Sequence, residues 1–273
     1  MTRSARRTRR TLQVAGAGAA ALLALSACSS SDDSSSSKSD PSGSSSPKLS
    51  GTVTVFAAAS LKESFTTLGK EFETAHPGTK VTFNFGGSDT LAASITSGAP
   101  ADVFAAASPK TMAIVTDKKD AVGTPATFVR NQLEIATLPG NPDKVSSLKD
   151  LTKSGLKVVL CDKTVPCGAA AQKALDASKL KLTPASYEQD VKSALTKVEL
   201  KEADAAVVYK TDVHAAGDKV EGVEFPESAD AINAYPIALL KNAQNATAAK
   251  AFIALVQSAE GRKVLTTAGF LNP

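Results

Sequence analysis

Apolar positions along the chain follow two alternating rhythms. Thr52-Val53-Thr54-Val55-Phe56 is a β-branched run, and Leu61, Phe65, Leu68 and Phe72 then recur three or four apart. The run predicts a strand and the recurrence predicts a helix with one buried face. His76-Pro77-Gly78 ends that helix, since proline cannot continue it. A strand at Val81 to Phe85, a helix from about Thr90 to Ser97 stopped by Gly98, and a short strand at Asp102 to Ala105 follow. Strands alternating with helices argue for a parallel sheet covered by helices. Leu133 to Thr137 opens a second group, with a short helix at Leu148 to Leu151 and a strand at Lys157 to Leu160. Helices from about Gly168 to Ala177 and Val191 to Glu199 flank the next strand, Ala205 to Tyr209. Tyr235 to Leu240 reads as a strand returning toward the first group. The chain closes with a helix carrying Phe252, Leu255 and Val256, and a shorter one around Val264 and Leu265. The fold class is α/β.

The first 48 residues break this pattern. Arg3, Arg6, Arg7, Arg9 and Arg10 precede an apolar, small-residue stretch from Leu12 to Leu25, which is short for a membrane span. Leu25-Ser26-Ala27-Cys28 resembles a lipobox, which implies a lipoprotein signal over residues 1–27 and lipidation of Cys28. Thr8-Arg9-Arg10 also admits a twin-arginine reading, so the export route stays open. Residues 28–48 are mostly serine and cannot bury enough apolar surface to offset the entropy of ordering. They read as a tether with a reach of roughly 25 Å.

Charge changes meaning once this segment is set aside. The whole chain has 31 Lys and Arg against 27 Asp and Glu. Five of the basic residues and none of the acids precede Cys28, which leaves 26 against 27. A net charge of −1 gives no basis for nucleic-acid binding. The roughly 225 residues after the tether suffice for one large or two small α/β domains. Cys161 and Cys167 are the other cysteines. Outside the cytoplasm they read as a disulfide or as two buried thiols, and spacing alone leaves both open. A zinc site is disfavoured, because no second cysteine pair or nearby histidine accompanies them.

The strand-to-helix junctions carry the candidate chemistry. Ligands of open α/β sheets sit beyond the carboxyl ends of the strands, where helix N-termini offer free N–H groups to anions. Phe56-Ala57-Ala58-Ala59-Ser60-Leu61-Lys62-Glu63 places Ser60 after three alanines that let a ligand approach the backbone. Ser60 with Glu63 also fits a helix capping box. Phe85-Gly86-Gly87-Ser88-Asp89 offers a second serine at a helix start, or merely a capped turn. As an enzyme, Ser60 or Ser88 would need His76 or His214 as base. No G-x-S-x-G elbow is present, and both histidines read as surface residues.

Taken in order, these segments resemble the periplasmic molybdate-binding proteins of ABC importers, the ModA family. Val55 to Leu61 is similar to the family's N-terminal motif, Phe85 to Leu91 to its second serine loop, and Gly98-Ala99-Pro100-Ala101-Asp102-Val103-Phe104 to the segment that follows. Val165-Pro166-Cys167-Gly168, Asp190-Val191, Val207-Val208-Tyr209 and Tyr235-Pro236 continue in the family's order, over roughly Thr52 to Phe270. The resemblance implies a two-lobed periplasmic-binding-protein fold of type II, each lobe a mainly parallel sheet flanked by helices. Lobe 1 would be residues 49–130 and 235–273, and lobe 2 residues 131–234. It implies a molybdate site made by Ser60, Ser88, the backbone N–H groups of Cys167 and Val191, and the Tyr209 hydroxyl. Many relatives have alanine where this chain has Cys167. The contact is through the backbone, so cysteine is tolerable. Asp89 would repel an oxyanion and is expected to point outward.

The function implied is extracytoplasmic capture of molybdate, and of tungstate, for delivery to an ABC permease. The protein would be a monomer held at the membrane by its lipid, with no cofactor, no metal beyond the bound oxyanion, and no catalysis. A set of neutral donors suits a dianion that only accepts hydrogen bonds. Phosphate carries a proton near neutral pH, and no acceptor for it is evident among the five residues. Sulfate or another small oxyanion is the alternative ligand, and a serine hydrolase the remoter one.

Overall fold

The computed structural model describes residues 48–273; the leader, Cys28 and nearly all of the tether lie outside the described residues. Two five-stranded sheets form the frame. The first is built from β1 (Gly51–Ala58), β2 (Thr79–Gly86), β3 (Val103–Ala105), β4 (Ala121–Asn131) and β10 (Asn233–Leu240), in the order β2-β1-β3-β10-β4. The second holds β5 (Leu133–Thr137), β6 (Val158–Cys161), β7 (Ser186–Glu188), β8 (Ala205–Tyr209) and β9 (Glu221–Val223), in the order β7-β6-β8-β5-β9.

Each sheet is mixed rather than parallel throughout. β1 runs parallel to β2 and β3, and β6 runs parallel to β7 and β8. The strands that carry the chain between lobes run the other way: β10 is antiparallel to β3 and β4, and β5 is antiparallel to β8 and β9. The chain passes from the first sheet to the second between Asn131 and Leu133 and returns at Asn233.

Helices α1 (Lys62–Ala75), α2 (Ser88–Thr96), α3 (Pro109–Asp117), α7 (Ala246–Gln257) and α8 (Ala259–Thr267) cover the first sheet. Phe65, Leu68 and Phe72 of α1 meet Phe252 of α7 in a buried aromatic cluster, with Phe72 and Phe252 edge-to-face at 5.6 Å. Helices α4 (Pro166–Ala177), α5 (Val191–Glu199) and α6 (Lys210–Ala216) serve the second sheet. The central strands β3 and β8 are buried at every residue, as strands covered on both faces must be. Among the described residues no helix is long and apolar enough to cross a membrane.

Candidate functional site

The parallel halves of both sheets aim their carboxyl ends at one cleft. A small cavity of about 20 Å³ lies there, between the two lobes. Ser60, Ser88 and Ala107 line it from the first lobe; Cys167, Val191 and Tyr209 line it from the second. All five residues singled out in the sequence therefore meet around one small space. On this measure about 10–15 Å³ holds one water molecule, so the space suits a small ion rather than a sugar or a peptide.

Three helix starts supply backbone donors. The first intrahelical bonds are Leu91 N–H to Gly87 O (3.0 Å), Ala169 N–H to Val165 O (2.9 Å) and Ala194 N–H to Asp190 O (3.2 Å). The N–H groups before them have no partner inside their helices. In α4 the first position is Pro166, so Cys167 bears the first N–H. In α5 the Asp190 carboxylate accepts from Lys192 N–H (2.8 Å) and Ser193 N–H (3.0 Å), while Val191, the first residue of the helix, lines the cavity. Each helix also brings the positive end of its dipole to the same space.

Each hydroxyl is also bonded to a neighbouring group of the protein. Ser60 Oγ lies 2.8 Å from Tyr235 Oη, Ala107 N–H donates to Ser88 Oγ at 3.0 Å, and Asn233 Nδ2 donates to Tyr209 Oη at 2.6 Å. Burial pushes the Tyr209 and Tyr235 phenols well above the ordinary tyrosine range, so both remain protonated donors at neutral pH. The expected capping box does not form. Ser60 sits in a 3₁₀ turn, Ala59–Leu61, ahead of α1, and its hydroxyl is committed to Tyr235. Asp89 does not line the cavity, yet it does not point freely outward either. Its Oδ1 is buried without a hydrogen-bond partner, folded against Gly87 at the start of α2, where the helix dipole favours a carboxylate.

Cys161 and Cys167 are disulfide-bonded, which ties the end of β6 to the first turn of α4. Gly168 is required beside them. A Cβ there would run into the Asp162 carbonyl oxygen and stand 2.5 Å from Cys161 O.

No cationic side chain lines the cavity, but one ion cluster closes its flank. Lys192 of α5 lies 3.0 Å from Glu63 Oε1 of α1 and 3.1 Å from Asp212 Oδ1 of α6, so it spans the two lobes. Burial alone would lower the Lys192 pKa, but the two carboxylates outweigh it and hold the amine charged. Asp212 also accepts from Tyr209 N–H at 3.2 Å. Burial raises its carboxyl from 3.8 to about 6, with Lys192 opposing the rise. The folded state thus takes up this proton at a higher pH than the unfolded chain does. Asp212 therefore makes the protein gain stability as pH falls from about 6 to about 4, and lose it again as pH rises through that window. Urea unfolding at stepped pH is expected to show this slope in the parent and not in Asp212→Asn; parallel pH profiles would refute it.

A larger cleft of about 900 Å³ lies between α1, α6 and α8, floored by Phe72, Leu255 and Phe270. It holds both histidines, but presents no convergent set of N–H donors. His76 packs on the Phe72 ring at 4.6 Å, and no serine–histidine hydrogen bond occurs among the described residues. The described residues contain no His, Cys, Asp and Glu cluster able to hold a metal ion.

Asn131, Asn233 and Tyr235 stand behind the predicted donors, and sequence reasoning missed their role. Tyr235 was visible only as part of a strand and of the Tyr235-Pro236 motif, with no sign that it bonds Ser60. An asparagine at a strand end carries no periodic signal.

The bacterial extracellular solute-binding protein family matches residues 53–271. The chain is 41% identical over 239 residues to the molybdate-binding protein ModA of Mycobacterium tuberculosis strain H37Rv, covering 85% of this chain and 92% of that protein. To the molybdate-binding protein ModA of Escherichia coli strain K12 it is 32% identical over 233 residues, covering 81% and 89%. The periplasmic molybdate-binding protein of Azotobacter vinelandii has a similar fold, with a TM-score of 0.71 at 20% identity, over 81% of this chain and 99% of that one.

Proposed function

The chain belongs to the bacterial extracellular solute-binding protein family, and on that premise we propose that it captures molybdate outside the cytoplasm and delivers it to an ABC importer. It is a binding protein, not an enzyme, and its cargo is a ligand rather than a cofactor. The observation that carries the reading is the set of neutral donors: three hydroxyls and the first N–H groups of three helices around one small cavity of about 20 Å³. Such a site holds a dianion by hydrogen bonds and helix dipoles, without a counter-charge to retain after release. Ser60, Ser88, Cys167, Val191 and Tyr209 are the ligand residues in this reading.

In this reading lobe 1 is residues 49–130 and 235–273 and lobe 2 is residues 131–234, although β4 carries the first sheet on to Asn131 and β10 re-enters it at Asn233. Donors from both lobes converge on one ion, so the ligand binds the closed form better than the open one and shifts the population toward it. That difference is what a permease reads. The protein acts as a monomer tethered through lipidated Cys28, and tungstate, similar in charge and shape, is a second ligand.

Isothermal titration of the purified protein tests this. Molybdate and tungstate are expected to bind tightly at one site, with sulfate and phosphate far weaker. Preference for sulfate or phosphate would overturn the ligand, and no binding of any of the four would overturn the function.

A further inference from the structure

Two of the hydroxyls that line the cavity, Ser88 and Tyr209, are each met by an N–H donor, and the third, Ser60, is bonded to the Tyr235 hydroxyl, which itself accepts from Asn131. Asn233 Nδ2 lies 2.9 Å from Ala107 O and 2.6 Å from Tyr209 Oη. A carbonyl oxygen can only accept, so the nitrogen of the Asn233 amide faces both. Tyr209 must then accept from it, so its own proton is not used by Asn233 and is available to a ligand in the cavity. Asn131 is fixed in the same way, because its Oδ1 accepts Gln132 N–H at 3.0 Å. Its Nδ2 therefore donates, to Thr211 Oγ1 at 2.8 Å and Tyr235 Oη at 3.4 Å. With Asn131 donating to it, Tyr235 can donate in turn to Ser60 Oγ, 2.8 Å away, which leaves the Ser60 proton for the cavity. Ala107 N–H does the same for Ser88.

We propose that Asn233 and Asn131 are positioning residues that set the hydrogen-bond polarity of the site, so that it presents protons only and selects oxyanions that carry none. The inference rests on the oxyanion-binding reading above and supplies the residues that enforce it. A hydrogen phosphate ion brings a proton into the cavity, where the lining carboxylate, Asp190, is already engaged by Lys192 N–H, Ser193 N–H and the Ser193 hydroxyl. A fully deprotonated dianion finds every hydroxyl already oriented, so little rotor freedom is lost on binding.

The test is Asn233→Asp, which replaces a donor by an acceptor of the same shape. Tyr209 then turns its proton to the carboxylate, and a dianion can enter only once that carboxylate has taken up a proton. Molybdate affinity is measured for parent and variant between about pH 6.5 and 8.5; one linked proton means roughly a tenfold change per pH unit. The expected result is a variant at least tenfold weaker than the parent at the high end, with the ratio closing about tenfold per unit toward the low end. Asp212, Lys192 and Glu63 are the same in both proteins, so the ratio removes their part. Tyr235→Phe provides a second measurement. Its ring is kept, its hydroxyl lies outside the cavity lining, and it is expected to bind several-fold more weakly at every pH. A pH-independent ratio for Asn233→Asp overturns the proposal. Should that variant not fold, parent-like affinity of Tyr235→Phe overturns it instead. A parent that binds no molybdate overturns the functional reading itself, and this inference with it.

Discussion

Tyr209→Phe is expected to bind molybdate roughly ten- to a hundredfold more weakly than the parent, with its melting temperature almost unchanged. The phenol is fully buried, faces the cavity and stays protonated at neutral pH. Removing it takes one donor from a desolvated dianion, and a hydrogen bond to a charged group contributes about 1.5–3 kcal/mol; each 1.4 kcal/mol is about tenfold in affinity. Stability is spared because the amide behind it keeps other partners. Asn233 Nδ2 still reaches Ala107 O at 2.9 Å and Pro166 O at 3.3 Å. The ring also keeps its edge-to-face contact with Tyr235 at 6.1 Å. Titration calorimetry and a thermal melt of the same preparation check both halves. Parent-like affinity would remove Tyr209 from the site.

Gly168→Ala is expected to damage both fold and binding. The added methyl would collide with the Asp162 carbonyl oxygen, which is held by the Val165 N–H at 3.1 Å. Asp162 N–H is in turn tied to Glu188 O at 2.8 Å, and the Cys161–Cys167 disulfide fastens the same loop. No flexible side chain is there to give way, so the backbone must move. Overpacking of a rigid site costs about 1–3 kcal/mol, and more where backbone is displaced. A loss of about 3 kcal/mol lowers the melting temperature of a domain this size by roughly 6–12 °C. The part that moves is the first turn of α4, which carries the Cys167 N–H, so molybdate affinity falls as well. A variant that melts within about 2 °C of the parent and binds equally well would mean that the loop can open at no cost.

Much of the frame was legible in the residue pattern. The α5 helix, Val191–Glu199, and the β8 strand, Ala205–Tyr209, lie where the apolar spacing places them. Both are strongly signalled, one by an amphipathic face and the other by a run buried throughout. Elements without such a signal went unread. Strand β4, Ala121–Asn131, is an edge strand largely exposed over its first half, so no alternation marks it. Strand β7, Ser186–Glu188, is three residues long and none of them is fully buried. The reversed direction of β5 and β10 was also invisible, because apolar runs do not encode strand sense. It arises from the two crossings between the lobes.

The sequence by itself determined the α/β class and the placing of Ser60 and Ser88 at strand-to-helix junctions, because local periodicity and small-residue loops act over a few residues. Only the tertiary structure decided which junctions face one another. It brought Cys167, Val191 and Tyr209 of one lobe opposite Ser60 and Ser88 of the other. It also set Asn131 and Asn233, at the two crossings, behind the hydroxyls they orient. Ser60 and Tyr235, bonded at 2.8 Å, are 175 residues apart in the chain. Contacts of that range depend on the path of the chain through both sheets, and nothing in the local pattern around either residue encodes that path.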